Sequence, residues 1–170
     1  DDLYNRLVFD GQSAPNPYSF AQDLGESSKL VVVQGVSKMY AMTGFRIGWA
    51  IANREVAEAM TNLQSHQTSG PVTVSQWAAI GALSGVQTSI ETLRLTLENQ
   101  RNVMLERLAT IPGLRIIKPQ GTFYCFPDFS AYEKSSMKLA EFLLERVRVV
   151  VVPGKEFGME GHLGSPTAGA

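Results

Sequence analysis

The segment 35–48 carries two cations, Lys38 and Arg46, and no other charged residue. Lys38 follows the apolar run 30–33 and is flanked by Ser37 and Met39 rather than by an acidic partner. Burial disfavours the charged form of an amine, and the neutral amine is the form that condenses with an aldehyde. The pattern therefore indicates a lysine suited to covalent catalysis, whereas a solvated surface lysine is the simpler interpretation.

The position of this segment between two apolar runs favours a site. Residues 30–33 and 47–52 are typical of buried strands, so the segment between them is expected where a sheet ends. Ligand sites of α/β folds are concentrated at such edges. A further strand is predicted over residues 1–9, where a bend at the strand end would let Asp1 and Tyr4 approach one ligand.

The composition is that of a globular protein and limits the classes of partner. The chain has 170 residues, of which 44% are hydrophobic and 18% are charged, and its net charge is -1. A nucleic-acid binder or a protein of anionic membranes would normally carry a basic surplus or stripe, which this sequence lacks. No apolar run approaches the roughly 18 residues of a membrane span, and the N-terminus lacks the residue order of a signal peptide. We therefore expect a cytoplasmic protein that binds neither nucleic acid nor membrane.

Cysteine and histidine are too few for a disulfide framework or a metal site. Cys125 is the one cysteine and lies in the apolar run 123–126, which is typical of a small core residue. The two histidines, His66 and His162, do not stand with it at a metal-ligand spacing. The sequence therefore predicts no metal site.

The apolar periodicity predicts two layers of different type. In the first, a short helix is expected over 17–25, a strand over 29–36, and helices from residue 53, over 72–83 and over 88–111. In the second, strands are expected over 114–118, 122–126 and 147–152, with an amphipathic helix over 136–147. The long helix before Pro112 and Gly113 is a natural bridge between the layers. The domains are therefore predicted as residues 1–100 and 101–170, joined by this helix.

Five segments occur together in the order and at nearly the spacing found in one enzyme family. They are Asp1-Asp-Leu-Tyr4, Ser37-Lys38, Thr43-Gly-Phe-Arg46-Ile-Gly48, Pro119-Gln-Gly-Thr-Phe-Tyr124 and Val152-Pro-Gly-Lys-Glu-Phe-Gly158. On these residues the sequence resembles the class I, fold type I pyridoxal-phosphate aminotransferases, close to the bacterial aspartate aminotransferase branch. The resemblance covers nearly the whole chain and corresponds to the C-terminal half of that fold. It implies an α/β fold, in which the C-terminal part of a large domain, a mixed sheet flanked by helices, precedes a small α+β domain.

The resemblance implies a role for each candidate residue. Lys38 is implied to be the catalytic lysine, which binds pyridoxal 5'-phosphate as a Schiff base. Asp1, and not its neighbour Asp2, matches the carboxylate that keeps the ring nitrogen of the cofactor protonated, and Tyr4 matches the phenol that bonds the ring oxygen. Arg46 offers the phosphate a bidentate fork that a lysine lacks, and Ser37 offers a further hydroxyl.

The implied activity is the transfer of an amino group between an amino acid and a 2-oxo acid by ping-pong chemistry, with aspartate-type substrates favoured. Lys38 would first hold the cofactor and then, once displaced, act as the base that moves the α-proton of the substrate. The family is dimeric, so a homodimer is implied. The loop 64–71 is a candidate contact with the site of the partner subunit.

Two positions depart from the family pattern. Gly164 stands where the family places the arginine that binds the α-carboxylate of the substrate, and Pro166 is expected to interrupt the strand there. Gly35 stands where many relatives have a phosphate-binding hydroxyl.

The chain is expected to be an excerpt of a longer protein, because it starts inside a predicted strand and the family segments that precede Asp1 are not in it. Two alternatives to an aminotransferase stay open. One is a non-catalytic fragment that binds pyridoxal phosphate weakly or not at all. The other is a different enzyme of the same fold, such as a carbon–sulfur lyase.

Overall fold

The computed structural model describes residues 1–167, which form two compact units. The first unit comprises Asp1–Arg94, and the second begins at Leu95. The division lies within the long helix α3, Thr88–Leu108. The domain boundary at residue 100 falls in the same helix and stays a prediction.

Two strands form the sheet of the first unit. Strand β1, Val32–Gly35, pairs antiparallel with β2, Gly48–Ile51, so that Val32 lies opposite Ile51 and Gly35 lies opposite Gly48. Both strands were predicted, with longer bounds. Their expected burial is wrong, because no residue of β2 is buried and Val33 of β1 is exposed. The segment 36–47 therefore connects two neighbouring strand ends, and the side chains it carries emerge at one edge of the sheet.

The first residues follow the outer edge of β1 and then turn. The amide of Asp2 donates a 2.8 Å hydrogen bond to the carbonyl of Val33, and a 2.8 Å bond from the Leu7 amide to the Tyr4 carbonyl closes the turn over 3–6. The strand predicted over 1–9 is therefore wrong. The alternation that suggested it arises because Leu7 and Phe9 are both buried in the core after the turn.

Helices α1, Arg54–Gln67, and α2, Thr73–Ser84, follow the sheet. The predicted N-cap is confirmed, because Asn53 Oδ1 accepts a 2.9 Å hydrogen bond from the amide of Val56. The short helix expected over 17–25 is a single 3₁₀ turn over Pro17–Phe20.

The second unit contains a three-stranded antiparallel sheet with β5, Leu163–Pro166, between β3, Tyr124–Cys125, and β4, Val152–Pro153. Helix α4, Ser136–Val147, has the predicted bounds. The strand expected over 114–118 is reduced to an isolated bridge between Arg115 and Asp128. The strand expected over 147–152 begins only at Val152, because Arg148 adopts a left-handed conformation with φ of 59° that ends α4.

Pro166 does not interrupt β5, which corrects the expectation from the sequence. It lies opposite Tyr124, while the next residue, Thr167, donates its amide to the carbonyl of Phe123 at 2.7 Å. Hydrogen-bonded and non-hydrogen-bonded pairs alternate along an antiparallel ladder, so Pro166 occupies a non-hydrogen-bonded pair. Its missing N–H therefore removes no hydrogen bond to β3.

Cys125 and Arg101 belong to the core of the second unit. Cys125 is buried, as predicted, and burial raises the pKa of its thiol. Arg101 is fully buried and donates from Nη1 to the carbonyl of Pro119 at 2.7 Å, with Glu98 Oε1 at 3.6 Å from Nη2. These contacts attach the second half of α3 to the turn that precedes β3.

Within residues 1–167, every helix is too short or too polar to cross a membrane.

Candidate functional site

The segment 36–47 is held against the core on both sides of Lys38. Val36 and Met39 are buried, and the amide of Tyr40 donates a 3.3 Å hydrogen bond to the carbonyl of Val36. A second bond of 3.3 Å joins the amide of Ala41 to the carbonyl of Lys38. The two buried neighbours and the turn fix the backbone that carries the lysine.

Lys38 lies beside Tyr4. The side chain of Lys38 is half-buried, and its Nζ lies 5.9 Å from the centroid of the half-buried Tyr4 ring. This distance is within the range of a cation–π contact. The turn over 3–6 and the loop after β1 thus bring together an amine and a phenol that are distant in sequence.

The other predicted site residues of the first unit lie on the same two segments. Asp1 is exposed and directly precedes the residue bonded to β1, and Ser37 is half-buried next to the lysine. The measured contact within this group is that of Lys38 with Tyr4.

Arg46 occupies a left-handed backbone position at the end of a 3₁₀ turn. Its φ is 50° and its ψ is 51°, and Nη1 donates a 2.7 Å hydrogen bond to the carbonyl of Thr43. The side chain is exposed. Within residues 1–167 its Nε and Nη2 groups make no hydrogen bond, so one edge of the guanidinium is available to an anion.

Gly35 and Gly48 are required by the close approach of β1 and β2. A Cβ atom on Gly35 would lie 3.1 Å from the carbonyl oxygen of Ile47 and 3.2 Å from Leu3 Cδ2. A Cβ atom on Gly48 would lie 2.8 Å from the carbonyl oxygen of Gln34. At position 35, where the family pattern favours a hydroxyl, this packing leaves little room for a side chain.

Sequence reasoning missed a polar network beside these residues. Asp2 Oδ2 accepts hydrogen bonds from Asn5 Nδ2 at 2.8 Å and from Gln34 Nε2 at 2.7 Å. Gln34 Oε1 in turn accepts a 3.2 Å bond from Trp49 Nε1. The available signal was the glutamine that follows the apolar run 30–33, since a polar side chain that is partly buried in a strand needs a partner.

Gly164 lies in the second unit, in the middle strand of the three-stranded sheet, opposite Val152. A Cβ atom there would lie 3.5 Å from Val152 Cβ and 3.6 Å from Phe157 Cε2, which are ordinary van der Waals distances. The backbone therefore has room for a Cβ atom at this position. The glycine is not imposed by local packing.

The residues present in the first unit fit pyridoxal phosphate in chemical type. The Lys38 amine, which can bind the aldehyde of the cofactor, has its Nζ 5.9 Å from the centroid of the Tyr4 ring. The phenol of Tyr4 can bond the ring oxygen of the cofactor. The adjoining segments supply a carboxylate at Asp1, a hydroxyl at Ser37 and a guanidinium with one open edge at Arg46. Each of these groups matches one polar group of the cofactor.

Comparison with known proteins identifies the family. The sequence model of the family described as aminotransferase class I and II matches residues 1–164. The aspartate aminotransferase of Bacillus sp. (strain YM-2) is 41% identical over 164 residues, which are 93% of this chain and 41% of that protein. The probable aspartate/prephenate aminotransferase of Aquifex aeolicus is 37% identical over 168 residues, which are 96% of this chain and 42% of that protein.

Solved structures agree with the sequence comparison. The aspartate aminotransferase of Rhizobium meliloti has a TM-score of 0.91 at 33% identity, covering 100% of this chain and 44% of that one. The aromatic aminotransferase of Pyrococcus horikoshii has a TM-score of 0.91 at 32% identity, with 100% and 46% covered. The chain spans less than half the length of these relatives. The α/β fold class implied by the resemblance is confirmed, and the chain belongs to the class I and II aminotransferases.

Proposed function

We propose that the protein transfers an amino group between an amino acid and a 2-oxo acid with pyridoxal phosphate as its cofactor. The observation that carries the proposal is the position of Lys38 Nζ, 5.9 Å from the Tyr4 ring, in a chain that belongs to an aminotransferase family. Pyridoxal phosphate, when bound, supplies an aldehyde and an electron-withdrawing ring.

Lys38 has two tasks in this proposal. Its amine attaches the cofactor, and in the neutral state it accepts the proton that leaves the α-carbon of the substrate. Its half-buried side chain and the aromatic ring 5.9 Å from Nζ support this role. The same amine would deliver the proton to the C4′ carbon of the cofactor, so one base would serve both positions.

The remaining predicted residues would bind and orient. The Asp1 carboxylate would accept a hydrogen bond from the protonated ring nitrogen, and the Tyr4 hydroxyl would bond the ring oxygen. Arg46 would hold the phosphate through the open edge of its guanidinium, with Ser37 as a second donor. These roles rest on the matched positions and on the chemistry of the groups.

We propose aspartate-type substrates, because relatives that match most of this chain are named aspartate aminotransferases.

We also propose a homodimer in the cytoplasm. Exposed apolar side chains on and before α2 support a protein contact there, since Val72, Val74 and Trp77 are each about two-thirds exposed or more. Light scattering coupled to gel filtration tests this assembly, and a monomer at micromolar concentration would contradict it.

The test uses the chain itself and a hybrid enzyme. In the hybrid, residues 1–164 replace the matched segment of the aspartate aminotransferase of Bacillus sp. (strain YM-2). We expect the hybrid with pyridoxal phosphate to show the yellow absorbance of lysine-bound cofactor and to convert aspartate and 2-oxoglutarate. Lys38→Ala should abolish both, whereas Lys29→Ala, a change at an exposed lysine, should leave both intact.

Three results would overturn the proposal. They are full turnover in Lys38→Ala, a hybrid that folds without binding the cofactor, and release of pyruvate from cysteine conjugates in place of amino transfer, which would identify a lyase. Cofactor binding by the 170-residue chain alone would show that its own residues suffice for the site.

A further inference from the structure

Asp2, Gln34 and Trp49 form a row of hydrogen-bonded side chains across one face of the first sheet. Gln34 and Trp49 lie directly opposite each other on β1 and β2, and Asp2 lies on the outer edge of β1, where its amide bonds Val33. The bonds from Gln34 to Asp2 and from Trp49 to Gln34 measure 2.7 Å and 3.2 Å. The row therefore adds side-chain hydrogen bonds to the backbone pairing of three adjacent segments.

Asp2 connects this row to the turn that carries Tyr4. Its Oδ2 atom also accepts a 2.8 Å hydrogen bond from Asn5, which belongs to the turn over 3–6. One carboxylate oxygen thus receives donors from the turn and from β1. Hydrogen bonds to a charged acceptor are among the stronger ones in proteins, so this oxygen is a firm anchor.

The next residue anchors the same segment on the other face. A Cβ atom on Gly35 would lie only 3.2 Å from Leu3 Cδ2, so Leu3 packs over the end of β1. Asp2 and Leu3 therefore clamp the chain from both sides of the sheet. Asp1 precedes this clamp, Tyr4 follows it, and Lys38 is three residues after Gly35.

We propose that Asp2 is a positioning residue, which through Gln34 and Asn5 holds Tyr4 against Lys38 and sets the place of Asp1 at the cofactor. The inference rests on the proposed function for its consequence, since the position of Tyr4 and Asp1 matters only if they meet pyridoxal phosphate. The contact between Tyr4 and Lys38 itself can be measured without cofactor.

The first measurement uses the cofactor-free chain. The Tyr4 ring, 5.9 Å from Nζ, should shift the NMR signals of the Lys38 methylene protons, and Tyr4→Ala defines complete loss of this shift. In Asp2→Ala we expect the shift to fall to less than half, and in Asp2→Asn, which keeps an acceptor oxygen, to be largely retained. Gln12→Ala, a change at an exposed residue of the adjoining segment, should leave it unchanged.

A second variant, Gln34→Met, tests the same hydrogen bonds in case Asp2→Ala fails to fold. Gln34→Met keeps the side-chain length and removes the hydrogen-bonding groups, so it should lower the Lys38 shift and move the indole N–H signal of Trp49. The indole signal of Trp77, which is not part of the row, should not move, and a retained cooperative urea transition serves as the folding control. A full Lys38 shift in either variant, or an equal loss in Gln12→Ala, would overturn the proposal.

The consequence for the cofactor is measured in the hybrid enzyme. Loss of hydrogen bonds to a charged group corresponds to roughly tenfold or more in an equilibrium, so Asp2→Ala should raise the half-saturating pyridoxal phosphate concentration at least tenfold. Unchanged cofactor affinity with a lost Lys38 shift would refute the positioning role. If the hybrid with native Asp2 fails to bind cofactor, the proposed function fails, while the contact measured in the free chain is judged separately.

Discussion

Pro166 lies opposite Tyr124 in a non-hydrogen-bonded pair of the β3–β5 ladder, one residue away from positions that need their N–H groups. Ser165, which pairs with Cys125, is such a position. The ladder therefore tolerates proline at one residue and excludes it at the next.

The substitution Ser165→Pro should destabilise the second unit, whereas Pro166→Ser should have little effect. Proline at 165 removes a ladder hydrogen bond and leaves the carbonyl of Cys125 unsatisfied, which costs about 1–3 kcal/mol. Urea denaturation of both variants measures the difference. Equal free energies of unfolding would contradict the assigned register.

Gly154→Ala should be strongly destabilising. A Cβ atom on Gly154 would lie 2.3 Å from the carbonyl oxygen of Met159 and 2.6 Å from that of His162, and both are backbone atoms that cannot move without deforming the turn before β5. Forcing a methyl group into such a space costs about 1–3 kcal/mol, occasionally more.

The matched control for that change is Gly81→Ala in α2. A Cβ atom on Gly81 meets nothing within 4 Å, and alanine in a helix interior is more favourable than glycine by about 0.5–1 kcal/mol. Thermal unfolding should therefore shift in opposite directions for the two variants. A tolerated Gly154→Ala would show that the turn over 154–162 is packed differently.

Glu160 should make the stability of the second unit depend on pH. Hydrogen bonds from the amide of Ser136 at 2.9 Å and from its Oγ at 2.8 Å lower the pKa of Glu160 from its ordinary value of 4.5. Because the unfolded chain then binds more protons, this contribution is fully present above the ordinary value and is lost as the pH falls through the lowered pKa.

The measurement compares the chain with Glu160→Gln by urea denaturation at several pH values. The difference in unfolding free energy should be constant above about pH 5.5 and shrink as the pH falls through the acid range. A second variant, Ser136→Ala, should remove only part of the same difference, because it removes the Oγ donor and keeps the amide donor. A difference that stays constant across the range would rule out this role for Glu160.

The sequence predicted the elements whose signals are local. Side-chain hydrogen bonding predicts the N-cap at Asn53. Periodicity predicts the bounds of α4 and the strands on either side of the segment 36–47. The false strand over 1–9 arose because two alternating buried residues, Leu7 and Phe9, occur equally in an irregular segment that enters the core. The sequence predicted an interrupted strand at Pro166, because the register of this residue with β3 decides whether its missing N–H matters. That register is not encoded in a local sequence pattern.

The candidate site was predictable in its residue types and not in its geometry. Lys38 was found from its uncharged surroundings, but its contact with Tyr4 depends on a turn that the sequence did not predict. The Asp2 network was missed because its three hydrogen bonds join residues whose pairing is set by the strand register. Such contacts follow from tertiary structure alone.

Arg46→Ala should weaken binding of pyridoxal phosphate to the hybrid enzyme. A charge-assisted pair with the phosphate is worth about 1.5–3 kcal/mol, so the half-saturating concentration should rise by roughly 10- to 150-fold. Arg46→Lys should recover only part of this, because an ammonium cannot make the bidentate contact. Absorbance titration measures both.

The control for that change is Arg54→Ala, which removes an exposed ion pair with Glu26 and should leave cofactor affinity unchanged. Arg46 is left-handed, with φ of 50°, so Arg46→Gly separates backbone strain from side-chain loss. If Arg46→Ala bound the cofactor as tightly as the unmodified hybrid, the phosphate role would be withdrawn.

Gly164→Arg should increase the affinity of the hybrid enzyme for its amino-acid substrate. The resemblance places a carboxylate-binding arginine at this position, and the structure shows that a Cβ atom there meets Val152 and Phe157 at no less than 3.5 Å. The larger side chain can therefore start from the sheet without displacing backbone. A bidentate arginine–carboxylate pair that forms in a water-excluded site is worth about 1.5–3 kcal/mol, which predicts a KM for aspartate lower by about tenfold or more. Gly164→Met, which adds comparable length without charge, should leave KM unchanged or raise it. An equal decrease of KM in both variants would mean that the effect comes from packing, and no decrease in Gly164→Arg would mean that this strand position does not face the substrate carboxylate.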